Sequence, residues 1–217
     1  PAGEGTDECV IMGGKGGEIV DKNIRTSRAP SVGAMDAVTM CKKIHGSFIL
    51  VDCDGVGIGG YQEIMKLPKD FLGQIQVIKF HGSVNFPMKV KIVKEKNYLN
   101  LRAEAAFITQ ARARRGVAAL DDKELELIED LVEEMYFEKR GFIQLELKAD
   151  IKDRLGRSPG RGDAYKMLQW GFEQNFRKLA FQSTGLPRVA VMTDPLQPQT
   201  EQGFGQLQRS AQVETRV

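Results

Sequence analysis

Three aspartates in this sequence stand where carboxylates can do chemistry. Asp52 ends the apolar run Phe48-Ile49-Leu50-Val51 and is followed by Cys53-Asp54-Gly55-Val56-Gly57-Ile58-Gly59-Gly60. An apolar run of this length bounded by glycines reads as a buried strand. In open α/β sheets, sites form at the carboxyl ends of such strands. Asp163 opens a helical pattern behind the loop Gly156-Arg157-Ser158-Pro159-Gly160-Arg161-Gly162, and Asp7 precedes the first strand in a loop of small polar residues. Carboxylates from three separate elements, with no histidine at ligand spacing, suit hard, oxygen-preferring Mg²⁺ or Mn²⁺. Two such ions could activate a water and stabilise the leaving oxygen in phosphodiester cleavage. Gathered like charges repel, so the set makes sense only around a metal. Each acid also has a plainer reading. Asp52 or Asp54 can cap or shape the turn into the next helix, and Asp163 can be a first-turn acid favoured by the helix dipole. The metal reading rests on the set.

Basic residues flank the last of these acids: Lys148, Lys152, Arg154, Arg157 and Arg161. Beside an acidic cluster, such residues position a phosphodiester backbone without reading bases. A plain surface helix does not account for them, because Glu146–Asp150 and Lys148–Lys152 put like charges at i,i+4 and would not stabilise it. A second group, Arg112, Arg114 and Arg115, closes another helical pattern. The dipole favours cations there, but three in four residues exceed what a cap needs, which makes Arg114 and Arg115 candidates for phosphate contact. Lys89 and Lys91 alternate with Met88, Val90 and Ile92, as on an edge strand with its lysines outward. The net charge of +2 is too small to argue a nucleic-acid partner by itself. Gly13-Gly14-Lys15-Gly16-Gly17 is not a phosphate-binding loop, since a strand pattern follows and no Ser or Thr follows the lysine.

The elements that must position these residues follow an α/β order. Strands at 8–12 and 18–22 form a hairpin. A helix over 30–45 turns Val32, Met35, Val38, Met40, Cys41 and Ile44 inward and ends at Gly46. The strand 48–52, a helix from Tyr61 to near Pro68 and a strand over 74–80 give a crossover of the right-handed kind. Helices follow over 100–115 and 121–135. The second should bury Leu125, Ile128, Leu131 and Val132 and leave Glu124, Glu126, Glu129, Asp130, Glu133 and Glu134 as a solvated face. A strand at 142–145, a helix at 146–155 and a helix from Asp163 to about Ala180 complete a domain of residues 1–181. Residues 182–217, rich in Gln, Thr, Pro and Gly, read as a flexible tail. With 41% hydrophobic and 28% charged residues, the chain has the composition of a soluble globular protein. No apolar stretch approaches the roughly 20 residues of a membrane span, and no signal peptide opens the chain, so neither a membrane nor secretion is expected. Cys9, Cys41 and Cys53 read as reduced core thiols of a cytosolic protein. The first residue is not Met, as in an excised or processed chain.

Four stretches in order resemble a known family. They are Pro1-Ala2-Gly3-Glu4-Gly5-Thr6-Asp7-Glu8, then Val51 to Gly57, then Tyr98-Leu99-Asn100-Leu101-Arg102-Ala103-Glu104, then Lys148 to Arg154 followed by Arg157 to Ala164. Over roughly residues 1–172 the chain resembles the C-terminal nuclease domain of the large terminase subunit of tailed bacteriophages. The resemblance implies a ribonuclease-H-like fold, with a central mixed β-sheet and helices on both faces. It implies a metal-dependent endodeoxyribonuclease that cuts concatemeric viral DNA with little sequence preference, using two Mg²⁺ or Mn²⁺ ions. Asp52 and Asp163 match catalytic, metal-binding acids, and Asp7 matches an accessory metal-binding acid. Asp54, in the glycine turn, is left as a structural residue or one that supports the metal-binding acids from behind. Implied partners are double-stranded DNA, an ATPase motor domain N-terminal to this chain, a portal ring and a small terminase subunit, all in the host cell cytoplasm. The pattern departs from the family at two points: its first acid falls immediately before Pro1, and Gly160 stands where many relatives have an acid. A junction-resolving or repair nuclease of the same fold, or a non-catalytic packaging-motor module, are the alternatives.

Overall fold

The glycines near the start of the chain fold it back on itself. β1 (Glu8–Lys15) and β2 (Glu18–Thr26) pair antiparallel around Gly16 and Gly17, whose φ angles are 67° and 117°. A two-residue hairpin loop needs this left-handed backbone, and glycine adopts it without steric cost. The strands run past the expected limits, because Gly13 and Gly14 stay in the ladder across a register shift. This computed structural model describes residues 8–26, 29–54, 57–84 and 97–183, with side chains along the last helix as far as residue 174. Asp7, the expected edge strand with Lys89 and Lys91, and residues 184–217 lie outside the described residues.

α1 (Pro30–Lys43) starts on a proline and ends on Lys42 and Lys43, both favourable at those ends. Its buried stripe is Ala34, Val38 and Cys41, packed with Ile49 and Ile64. Val32 and Met35 were expected inside but are 47% and 42% exposed. On a helical wheel they lie a quarter-turn or more from the stripe that Ala34 sets, and a small alanine is easily overlooked as a core residue.

β3 (Phe48–Asp52) has the limits its apolar run predicts. It pairs in parallel with β4 (Gln76–Phe80), so that Asp52 is level with Phe80. The crossover between them holds α2 (Ile58–Lys66) and the single turn α3 (Lys69–Leu72). α2 begins three residues before Tyr61, close against the strand end. A Cβ on Gly57 would lie 1.8 Å from the Asp52 carbonyl oxygen. Gly57→Ala must therefore displace the entry to α2, and thermal unfolding should show a loss of about 1–3 kcal/mol.

α4 (Leu101–Arg114) is capped by Asn100, whose side chain accepts from the Ala103 amide. One face of α4, with Leu101, Ala105 and Ile108, packs on Phe80 and Trp170. Another, with Ala103, packs on Tyr98, Ile143 and Leu145. α5 (Leu125–Val132) corrects the expected acidic helix. Leu125 and Val132 are 71% and 74% exposed, while Leu127 and Asp130 are buried. The inward face is rotated because Asp130 finds a cation inside. β5 (Tyr136–Lys139) was not foreseen; it pairs with β6 (Phe142–Leu145) across Arg140 and Gly141, both at positive φ. α6 (Lys148–Leu155) ends on the left-handed Gly156. α7 (Gly160–Ser183) begins before Asp163 and runs past Ala180.

Strands and helices alternate, which gives a mixed α/β fold. Among the described residues the strands form three two-stranded sheets, β1–β2, β3–β4 and β5–β6, with one isolated bridge from Tyr98 to Ile143. The expected single central sheet is thus not assembled by strand hydrogen bonds in these segments. No helix among the described residues is long and apolar enough to cross a membrane.

Candidate active site

The carboxyl end of β3 and the first turn of α7 meet at a small cleft. Asp52 projects from the first and Asp163 from the second. Lys148, the first residue of α6, stands between them, with Nζ 2.7 Å from Asp163 Oδ2 and 3.9 Å from Asp52 Oδ2. The two carboxylate oxygens can therefore be no farther apart than about 6.6 Å. The cleft is lined by both aspartates, Asp54, Arg102, Lys148 and Lys166, above a floor that includes Phe80, Ala105 and Met167. Asp54 braces it. The Asp54 amide donates to Asp52 Oδ1 at 3.0 Å, and Asp54 Oδ2 accepts from the Ser83 amide at 2.7 Å. The turn after β3 is thereby tied to the turn after β4, whose Gly82 carbonyl accepts from the Arg102 amide of α4.

The two aspartates sit in different fields. Asp163 Oδ1 is 2.9 Å from Lys166 Nζ and 3.8 Å from Arg102 Nε, and its Oδ2 meets Lys148. Burial pushes the Asp163 carboxyl up, but Lys166, Lys148 and Arg102 together outweigh it and hold the carboxyl well below the usual carboxylate range. Asp52 is the opposite case. Burial pushes its carboxyl up, and the Asp54 amide and Lys148 only partly offset this. Burial disfavours the Lys148 ammonium, yet Asp163 and Asp52 hold it above the usual lysine value. A third carboxylate, Glu134, lies behind. It is 5% exposed and accepts from Lys166 Nζ at 2.8 Å on both oxygens and from Arg102 Nη2 at 2.7 Å. Arg102 is completed by the Glu146 carbonyl at 2.8 Å. Asp163 and Glu134 thus share Lys166 and Arg102, and Asp52 and Asp163 share Lys148, while Asp54 is held by the Ser83 amide.

Asp52 and Asp163 offer hard oxygen donors from separate elements, and a cationic group already occupies the position between them. That donor set fits a divalent, oxygen-preferring cation. Among the described residues no three acidic, histidine or cysteine side chains gather to hold a metal, so these two carboxylates are the core of the candidate site.

Comparison with known proteins rests on structure. Neither a family model nor a curated protein matches the sequence. A mutant form of the large terminase subunit gp2 of bacteriophage Sf6, solved with calcium, superposes with a TM-score of 0.60 at 20% identity, covering 76% of this chain and 83% of that one. A mutant nuclease domain of the same subunit, solved with manganese, gives 0.56 at 21% identity over 71% of this chain and 79% of the other. The nuclease domain of the Sf6 large terminase subunit gp2 gives 0.56 at 20% identity over 71% of this chain and 78% of the other. The chain has the fold of a terminase nuclease domain.

In this terminase-nuclease fold the expected DNA-contacting residues fall into separate groups. Lys148 is at the cleft. Lys152 is exposed, one turn along α6. Arg154, Arg157 and Arg161 are paired within the molecule. Arg154 donates to both oxygens of Glu146 at 2.6 and 2.7 Å and to the Glu133 carbonyl. Arg157 pairs with Asp130 and, at 2.6 Å, with Glu129. Arg161 binds both oxygens of Glu8 at 2.8 and 2.9 Å and pairs with Glu126. The puzzle of the like charges is answered in part by the start of α6, two residues later than expected, which leaves Glu146 outside the helix; Glu146 and Lys148 are placed by Arg154 and Asp163, not by helical neighbours. Arg114 and Arg115 lie at the far end of α4 from Arg102, about 18–20 Å along its axis at 1.5 Å per residue. There Arg115 meets Glu173 at 2.8 Å, beside the buried Arg112, which binds Gln169 and Glu173. Sequence reasoning missed Arg102, Glu134 and Lys166. Only Lys166 left a local signal, three residues after Asp163 on one helical face.

Proposed function

We propose that this chain is a metal-dependent endodeoxyribonuclease domain of a viral DNA-packaging terminase, built on a ribonuclease-H-like scaffold with a central mixed sheet. The observation that carries the reading is the convergence of Asp52 and Asp163, from β3 and α7, on one cationic position. The structural neighbours, a terminase large-subunit gp2c solved with calcium and a terminase nuclease domain solved with manganese, support it. Asp52 and Asp163 would hold two Mg²⁺ or Mn²⁺ ions, with Asp7 adding a ligand. Ions held there would supply a nucleophilic water at neutral pH and offset charge on the phosphoryl oxygens. The side chains do the rest. Lys166 and Arg102 fix Asp163, and the Asp54 amide orients Asp52. Lys148 and Lys152 offer positive charge to double-stranded DNA, read by its backbone and so with little sequence preference. Arg154, Arg157 and Arg161, each neutralised by its carboxylate partners, hold the site's elements in place, and Arg114 and Arg115 would touch DNA only at a second, remote point. An ATPase motor domain, a portal ring and a small terminase subunit in the host cell cytoplasm complete the assembly that this reading implies.

Supercoiled plasmid is the substrate for the test. With Mn²⁺ or Mg²⁺ the parent chain should nick and linearise it, EDTA should stop the reaction, and Asp52→Ala should be inactive. Cleavage by Asp52→Ala at the parent's rate would remove the assignment.

A further inference from the structure

The structure assigns Glu134 a positioning role: its carboxylate holds Lys166 and Arg102 against one oxygen of Asp163, so that the other oxygen faces the cation position shared with Asp52. This rests on the nuclease reading for its consequence, but not for its geometry.

Glu134 follows α5 in the short connection to β5, where a run of acids suggests a solvated face. It is instead 5% exposed, with three short contacts to two cations. A simple staple would pair with a cation of its own. Here Lys166, itself 4% exposed, is shared, and the same Nζ lies 2.8 Å from Glu134 and 2.9 Å from Asp163 Oδ1. Arg102 is held in the same way. Its Nη2 is on Glu134, its Nη1 is on the Glu146 carbonyl, and its buried Nε makes no hydrogen bond although it is 3.8 Å from Asp163 Oδ1. The cations on the protein side of Asp163 are thus restrained from behind, and Asp163 Oδ2 is left to the cleft.

The charge count gives the consequence. Glu134 is one of the carboxylates that balance Lys148, Lys166 and Arg102. Neutralising it makes the surroundings more positive by one charge, a few ångströms from the position proposed for a divalent ion. It also frees Lys166 and Arg102 to compete for Asp163. Outer partners that orient a metal ligand commonly set metal affinity by about ten- to a hundredfold. Glu134 does not reach the cleft, so its effect must pass through Lys166 and Arg102.

The test is calorimetric titration of the full chain with Mn²⁺. Glu134→Gln keeps the shape and one acceptor but removes the charge, and Mn²⁺ binding should weaken about ten- to a hundredfold. In plasmid cleavage the Mn²⁺ concentration for half-maximal rate should rise while the rate at saturating Mn²⁺ stays near the parent's. The double variant Glu134→Gln/Lys166→Met restores the charge count and should recover Mn²⁺ affinity towards the parent, whereas a merely structural role would make its losses add. If Glu134→Gln alone does not fold, Lys166→Met, with one surplus negative charge, should bind Mn²⁺ more tightly than the double variant. Parent-like Mn²⁺ binding by Glu134→Gln, or a double variant that binds Mn²⁺ more weakly than Glu134→Gln, would overturn the positioning role and leave the nuclease reading standing. Failure of the parent to bind Mn²⁺ would overturn both.

Discussion

Asp163→Asn is expected to lose both folding stability and metal-dependent cleavage, whereas Asp52→Asn should lose cleavage alone. The two aspartates share a cation position, but the fold treats their charges in opposite ways. Asp163 is the counter-charge for Lys166, Lys148 and Arg102, and its side chain is 14% exposed. Removing one member of such a partly buried network strands the cations, which typically costs about 3–5 kcal/mol. For a chain of this size that is a fall in Tm of about 6–20 °C. The pH dependence has a definite sign. The folded carboxyl of Asp163 is depressed, so its contribution is fully present above the unfolded value of about 3.9 and is lost as pH falls through the folded value. The stability gap between parent and Asp163→Asn should be widest near neutrality and close in acid. Asp52 is raised by burial, so above its folded value its charge opposes folding. Asparagine removes that opposition at the cost of a 3.9 Å contact to Lys148, and the Tm should stay near the parent's. Cleavage should drop a hundredfold or more in both variants, on the order of the largest losses seen for outer partners of a metal ligand. Thermal melts from about pH 2 to pH 8, spanning the unfolded carboxyl value and the range below it, with plasmid cleavage in Mn²⁺ near neutrality, check the pair. An Asp163→Asn variant that melts with the parent at pH 7 would contradict the account of the cation cluster.

That contrast shows which parts of the molecule its sequence could disclose. β3 was legible to the residue because four apolar residues, an acid and a glycine run are a local signal, and the acid at its end followed from that. The approach of Asp163 to Asp52 is a tertiary fact; it was expected from the order of motifs in the resemblance, not from spacing. Two buried acids, Asp130 and Glu134, were read as solvent-facing. Whether a carboxylate is buried depends on cations elsewhere, and here those are Arg157, Arg102 and Lys166, 27 to 32 residues away. The same blindness made Arg154, Arg157 and Arg161 look like DNA contacts, since their carboxylate partners lie on β1, on α5 and in the connection between β6 and α6. β5 escaped notice because all four of its residues are exposed, which removes the alternation that marks a half-buried strand. What the sequence conveyed well was apolar periodicity; what it withheld was the pairing of charges, on which this site depends.

The strongest of those hidden pairs predicts the largest structural effect away from the cleft. Asp130 is fully buried. One oxygen pairs with Arg157, and the other accepts from the Gly162 amide at 2.9 Å. The first amides of a helix have no partner within it, and a carboxylate there also complements the helix dipole. Asp130 thus serves α7 as a cap supplied from another helix, one residue before Asp163. The fit is close, since a Cβ on Gly162 would lie 2.7 Å from Asp130 Cβ. Asp130→Ala would leave the Gly162 amide buried without a partner and Arg157 with only Glu129 and the Glu126 carbonyl. The expected cost is about 3–5 kcal/mol. Asp130→Asn, which retains an acceptor for the amide but not the charge, should fall between Ala and parent. Arg157→Met should also destabilise, and the double variant Asp130→Ala/Arg157→Met should cost less than the sum of the two single variants, because the pair is removed together. Urea unfolding of the four proteins measures this coupling. Mn²⁺ binding by the variants, at a temperature where each is folded, then separates the two jobs. If Asp130 only holds the helices together, affinity stays at the parent's value. If it also sets where the first turn of α7 presents Asp163, affinity falls with Asp130→Ala and returns in part with Asp130→Asn. Additive losses in the cycle would show that Arg157 and Asp130 act independently, and the cap from α5 would then owe nothing to the arginine.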